Sequence, residues 1–172
     1  MITLHKLTII GLGAGDLDQL SLGTYRKLQE ANFIIARTEQ HAAALELRAE
    51  GIVIKSFDYI YEKHDSFENV YEEIVDLLIK MCLEKPVTYV VPGHPLVAEM
   101  TVQLLIEKEQ QGIIKLEIAG GSSFLDPMFA ALRIDPIEGF QLLDGTDMKC
   151  DDVHMTQHVL IGQVYDAFVA SE

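Results

Sequence analysis

The sequence predicts an α/β fold: a mainly parallel, five-stranded sheet with helices on both faces, followed by part of a second α/β domain. Three observations predict it. Short apolar runs alternate with longer amphipathic segments between Leu7 and Ile118, the order expected of βαβ units. The apolar runs are continuously hydrophobic instead of alternating, as strands covered on both faces are. Glycine or proline follows several of these runs, which places tight turns at their ends.

Residues 7–10 form the first strand, which ends in Gly-Leu-Gly-Ala-Gly-Asp, from Gly11 to Asp16. Residues 20–31 read as a helix, weakened by Gly23. Residues 33–36 are the second strand, and residues 39–50 a helix closed by Gly51. Residues 52–57 are the third strand. Asp65 or Ser66 then caps the longest helix, on which Phe67, Val70, Tyr71, Ile74, Leu77, Leu78 and Met81 fall on one apolar stripe. Val87–Val91 is the fourth strand, residues 97–110 the next helix, and residues 113–118 the fifth strand. The expected boundary separates a first domain, residues 1–117, from an incomplete second, residues 118–172. In the second, residues 123–132 read as a helix, residues 140–143 and 159–164 as strands, and residues 144–152 as a loop. The closing Asp-Ala-Phe-Val-Ala-Ser-Glu reads as a helix that has barely begun, so the chain is expected to stop inside its second domain.

Composition bounds the function. The 172 residues carry 27 acidic and 13 basic side chains, a net charge of −14, and Lys and Arg do not cluster. Such a surface repels a phosphate backbone, so no nucleic-acid partner is expected. No apolar run is long enough for a membrane span, and the amino terminus lacks the pattern of a signal peptide. Cys82 and Cys150 form no CxxC. Cys82 reads as a small core residue, and a reducing cytoplasm fits.

Five motifs bear on chemistry. Pro92-Gly93-His94-Pro95 stops a strand abruptly, at the carboxyl end where parallel sheets bind ligands. It is either a site loop or a structural turn. Gly11, Gly13, Gly15 and Asp16 invite a dinucleotide fingerprint, but Asp16 stands where a third glycine is needed and would repel a pyrophosphate. They form a tight turn capped by Asp16, or one wall of a substrate cleft. Gly120-Gly121-Ser122-Ser123 is either a plain turn with a serine cap or a set of N–H and O–H donors facing a ligand. Glu72, Glu73 and Asp76 read as a solvated helix face, since no second acidic run is placed to share a cation. His154 and His158 fall on a loop, and no metal site is expected.

Together these motifs resemble the tetrapyrrole (corrin/porphyrin) methylase superfamily, over nearly the whole chain. Ile-Ile-Gly-Leu-Gly-Ala-Gly-Asp-x-x-x-Leu-Ser is similar to its Gly-x-Gly-Pro-Gly-Asp-x-x-x-Leu-Thr opening, with Ala14 for proline. Val-Val-Pro-Gly-His-Pro-Leu-Val is similar to its Gly-Asp-Pro loop, with His94 for aspartate. Ile-Ala-Gly-Gly-Ser-Ser-Phe resembles its Pro-Gly-x-Ser-Ser turn. The stretch from His158 to Glu172 resembles the methylase-like amino-terminal domain of MazG-fused, YabN-type proteins. The resemblance implies two α/β domains and a methyltransferase that uses S-adenosylmethionine, with a tetrapyrrole-like or other small-molecule acceptor. It implies cofactor contacts from Gly93, His94, Pro95, Leu96, Val97, Ser122 and Ser123, and from Ile161 and Gln163 on the second domain. A fused MazG domain in the full protein and a homodimer are further expectations. The alternatives are a catalytically silent module of a MazG-type pyrophosphohydrolase, and an RNA or protein methyltransferase of the same superfamily. No catalytic side chain is identified.

Overall fold

The computed structural model describes residues 5–164. The expected helix in the closing seven residues lies outside them. In its first unit the strands are β1 (Lys6–Gly11), β2 (Ile34–Ala36), β3 (Ile54–Ser56), β4 (Val87–Val91) and β5 (Lys115–Ile118). They form one sheet in the order β3-β2-β4-β1-β5, and every pair is parallel. The helices are α1 (Leu22–Glu30), α2 (Ala42–Ala49), the short α3 (Asp58–Tyr61), α4 (Phe67–Cys82) and α5 (Met100–Gln110).

Strand period explains the continuous apolar runs, because successive side chains point to opposite faces. Leu7, Ile9, Ile35, Val87, Tyr89 and Val91 pack with Ile60 of α3, Val70, Ile74 and Leu78 of α4 and Val102 and Leu105 of α5. Ile10, Ile34, Ala36 and Val90 pack on the other face with Leu28 of α1 and Ala43, Ala44 and Leu47 of α2. The central strands β1, β2 and β4 therefore need hydrophobic residues at both parities.

Ser66 caps α4, accepting the Asn69 N–H, and Ser21 caps α1 by accepting the Thr24 N–H. The α4 stripe is buried at Val70, Ile74 and Leu78, with Val75 and Cys82 joining it. Phe67 is different: it is 57% exposed, one turn before the first buried residue. α5 begins at Met100 rather than Val97, because Ala98 takes φ +53° and interrupts a helical path there.

The chain divides into two compact units after Phe124, later than the expected boundary at residue 117. The glycine turn after β5 stays with the first unit because it is hydrogen-bonded to the end of β1: the Gly11 N–H donates to the Gly120 carbonyl at 2.8 Å. The second unit holds α6 (Leu125–Leu132) and the parallel pair β6 (Phe140–Asp144) and β7 (His158–Gly162). Phe129 meets Phe140 edge to face, with ring centroids 5.2 Å apart.

Candidate functional site

β4, β1 and β5 are parallel neighbours, so the turns that follow them emerge at one edge of the sheet. That edge is the ligand-binding side of open parallel sheets. The turns are also joined to one another. The Gly93 N–H donates to the Gly13 carbonyl at 2.8 Å, the Gly13 N–H returns to the Gly93 carbonyl at 3.2 Å, and the Leu12 N–H donates to the Val91 carbonyl at 2.8 Å.

The side chains here are absent for a steric reason. A Cβ on Gly11 would lie 2.2 Å from the Gly93 carbonyl oxygen and 2.8 Å from Pro95 Cδ, and one on Gly121 would lie 2.7 Å from the Gly11 Cα. Three backbones thus cross at a junction that only glycine permits. Gly93 is the opposite case. It has φ +66°, and a Cβ there would meet nothing within 4 Å. The backbone at Gly93 faces open space, which is what a ligand approaching the main chain requires.

The loop beyond Gly93 is organised by its own imidazole. The Leu96 N–H donates to His94 Nδ1 at 3.1 Å, so in the neutral ring the proton resides on Nε2. The Val97 N–H donates to the His94 carbonyl at 3.0 Å. Pro95 is buried, His94 and Val97 are half-buried, and Leu96 is exposed. Ser122 and Ser123 are half-buried, and Ser122 Cβ lies 4.0 Å from where a Cβ on Gly13 would be. The structure therefore brings together the turns carrying Gly11, Gly13, Gly93 to Val97 and Ser122.

Gly15 and Asp16 do a different job. Asp16 accepts the Asp18 N–H at 3.2 Å and caps a single 3-10 turn, Leu17–Gln19. A Cβ on Gly15 would meet the Gln19 side chain at 2.4 Å. Ile161 and Gln163 lie in the second unit, at the end of β7. Ile161 is exposed, and Gln163 has the positive φ of +60°. On α4, Glu73 is held by Lys63 and His64, and its carboxyl is kept below the usual range by those two hydrogen bonds. No cluster of three or more metal-ligating side chains occurs among the described residues.

Two features of this edge had no signature in the sequence. His41, at the start of α2, places Nε2 3.0 Å from the Gly13 carbonyl oxygen, while its Nδ1 is buried with no partner among the described residues. Arg37, directly after β2, pairs with Glu99 at 3.4 Å. Glu99 is 4% exposed and accepts from the Thr101 hydroxyl at 2.6 Å, and Thr101 Oγ1 lies 3.1 Å from the Tyr89 hydroxyl.

Comparison with known proteins finds a relative over nearly the whole chain. The uncharacterized protein YabN of Bacillus subtilis (strain 168) is 49% identical over 167 residues, covering 97% of this chain, while the chain spans 34% of YabN's length. A solved uroporphyrin-III C-methyltransferase from Thermus thermophilus superposes with a TM-score of 0.61 at 21% identity, over 83% of this chain and 61% of that one. A solved diphthine synthase gives 0.61 at 19% identity, over 81% and 53%. These two likenesses show the shared α/β fold. The profile of the tetrapyrrole (corrin/porphyrin) methylases matches residues 6–160, from the first residue of β1 into β7. The match takes in all three glycine turns, and the chain belongs to that family.

Proposed function

We propose that the chain is a methyltransferase domain that takes S-adenosylmethionine as methyl donor and passes the methyl group to a small-molecule acceptor. The glycine junction carries this reading. Three strand-end turns are tied at one edge, and beside them Gly93 offers backbone with open space above its Cα. The donor set fits an adenosyl amino acid: Gly93 to Val97 would hold it by main-chain groups, and Ser122 and Ser123 would supply hydroxyls. When bound, the group supplies an electrophilic methyl on a sulfonium.

The chain's own part is positioning. The junction fixes where the loops stand, and the bond from the Leu96 N–H to His94 Nδ1 holds the loop's shape. Holding donor and acceptor in line lowers the barrier without a dedicated base, which suits an edge where no general base is identified. Calorimetric titration with S-adenosylmethionine and S-adenosylhomocysteine tests the reading. Saturable binding that weakens in Gly93→Ala supports it, and absence of binding of either compound overturns it.

A second reading rests on the sequence resemblance to MazG-fused proteins, beside the chain spanning 34% of YabN's length. In it the domain binds the adenosyl ligand without transferring a methyl group and serves a fused MazG-type pyrophosphohydrolase. Binding without turnover across an acceptor panel would select that reading.

A further inference from the structure

The end of β4 is flanked on both sides. On one side the Leu12 N–H reaches the Val91 carbonyl; on the other the Arg37 N–H reaches the Val90 carbonyl at 2.9 Å. Arg37 therefore stands across a single strand from the glycine junction, on the same carboxyl edge. A cavity of about 280 Å³ opens there, lined by Arg37, Thr38, Asp58, Tyr61, Phe67 and Tyr71. All six residues belong to the first unit.

The guanidinium in its wall is held in place but poorly satisfied. Glu99 meets Nη1 at 3.4 Å and is itself fixed by Thr101, while Nε is buried with no partner among the described residues. Buried donors without partners are uncommon and costly, and 27% of the Arg37 side chain remains exposed. Opposite in charge is Asp58, which accepts the Glu39 N–H at 2.9 Å. Burial works against its ionisation, but that N–H and the Thr38 and Ser56 hydroxyls outweigh burial and keep the carboxyl below the usual range. Phe67 and Tyr71 lie stacked, with centroids 6.1 Å apart and planes 18° from parallel. Phe67 is exposed although it is a large apolar side chain.

Charge selects among planar ligands. Arg37 is already matched by Glu99, and Asp58 adds a further negative charge, so an aromatic anion would enter a site with no free positive charge. A neutral ring with adjacent acceptor and donor meets both polar walls. The volume lies just below the usual range for ligand sites, which fits one or two fused rings better than a macrocycle.

We propose that this cavity binds a neutral nitrogen heterocycle of one or two rings through a lactam edge. Its carbonyl accepts from Arg37, its N–H donates to Asp58, and its ring lies against Phe67 and Tyr71. Occupancy of the cavity does not depend on the proposed function.

Amide-detected NMR titration of the chain with uracil and, separately, benzoate tests the proposal without any cofactor. Uracil should give saturable shifts at Thr38, Tyr61, Phe67 and Tyr71, and benzoate none at these positions. Arg37→Gln and Phe67→Ala should each weaken uracil at least tenfold. Phe67→Ala should keep the parent melting temperature, because the ring is exposed. Tighter binding of benzoate than of uracil, silence of those amides with uracil, or unchanged uracil affinity in Phe67→Ala overturns it. Uracil binding alongside a failed S-adenosylhomocysteine titration would overturn the methyl-donor reading and leave the cavity assignment standing. The reverse pattern would remove the cavity assignment alone.

Discussion

The Leu96 N–H donates to His94 Nδ1, 3.1 Å away. This is the i to i+2 bond that an aspartate or asparagine side chain makes to its own backbone in a tight turn. The resemblance to the methylase family puts aspartate at this position, and the structure shows what histidine does instead. The imidazole supplies the same acceptor and adds an Nε2–H donor where a carboxylate could only accept. His94→Asn should keep the loop closed, since an amide oxygen replaces Nδ1. His94→Leu should lose about 1 kcal/mol of stability and several-fold in S-adenosylhomocysteine affinity. Urea unfolding with a parallel calorimetric titration reads both, and equal behaviour of the two variants would mean that the bond is incidental.

The glycines separate into those that steric contact requires and those it does not. Gly11→Ala would drive a Cβ to 2.2 Å from the Gly93 carbonyl oxygen. It should cost about 3 kcal/mol, the upper end for overpacking, because the obstructing atoms are backbone. Gly23 lies within α1, and its Cβ would meet only Ser21 Oγ at 3.9 Å. Gly23→Ala should therefore stabilise the chain by about 0.5–1 kcal/mol. Urea midpoints moving in opposite directions for the two variants would check this.

Gly93→Ala isolates the ligand-facing role. Nothing in the folded chain meets the added methyl group, so the fold pays only for φ +66° at a non-glycine residue, about 1–2 kcal/mol. A ligand lying on that backbone would meet the methyl directly, and binding of S-adenosylhomocysteine should fall about tenfold, or about 1.4 kcal/mol. Calorimetry on the folded variant checks it, and unchanged affinity would move the donor site elsewhere.

How far the sequence disclosed this molecule depends on the range of the interactions concerned. The central strands β1, β2 and β4 were visible because each is apolar at both parities, a local property. The start of α5 at Met100 is not legible in the sequence, because Ala98 takes φ +53° and alanine carries no mark of a positive φ. The joining of Gly11, Gly93 and Gly121 was half legible. Glycine turns at strand ends are visible in the sequence, but only tertiary packing shows that Gly11 bonds to the Gly120 carbonyl while Gly121 packs against its Cα. The pair Arg37 and Glu99 was not legible, since an arginine after one strand and a glutamate before a distant helix have no shared pattern.

That pair should behave as a coupled unit. Glu99→Gln keeps the size and one acceptor for Thr101 but leaves Arg37 without its counter-charge. It should destabilise the chain by about 1–3 kcal/mol, reduced from the fully buried case because Arg37 is partly exposed. Arg37→Gln with Glu99→Gln should cost less than the sum of the single changes, since each single change strands a charge that the double removes. Additive urea unfolding energies would show the two groups to be independent.

The last prediction concerns alkaline pH. Burial pushes the Cys82 thiol up to about 11 from its ordinary 9.0, and burial also pushes the Tyr61 phenol up to about 12 from 10.0. In both cases the folded value lies above the unfolded one, so the folded chain holds the proton longer. The associated stability is complete below pH 9, falls as pH rises toward 11 for Cys82, and falls between about 10 and 12 for Tyr61. Urea midpoints should be flat with respect to these two groups from neutral pH to 9 and drop beyond it. Thiol accessibility gives the independent check. Cys82 is buried and Cys150 is exposed, so iodoacetamide at neutral pH should add to Cys150 alone in the native chain and to both cysteines in urea. Rapid native labelling at Cys82 would show that the α4 face against the sheet opens far more readily than its complete burial implies.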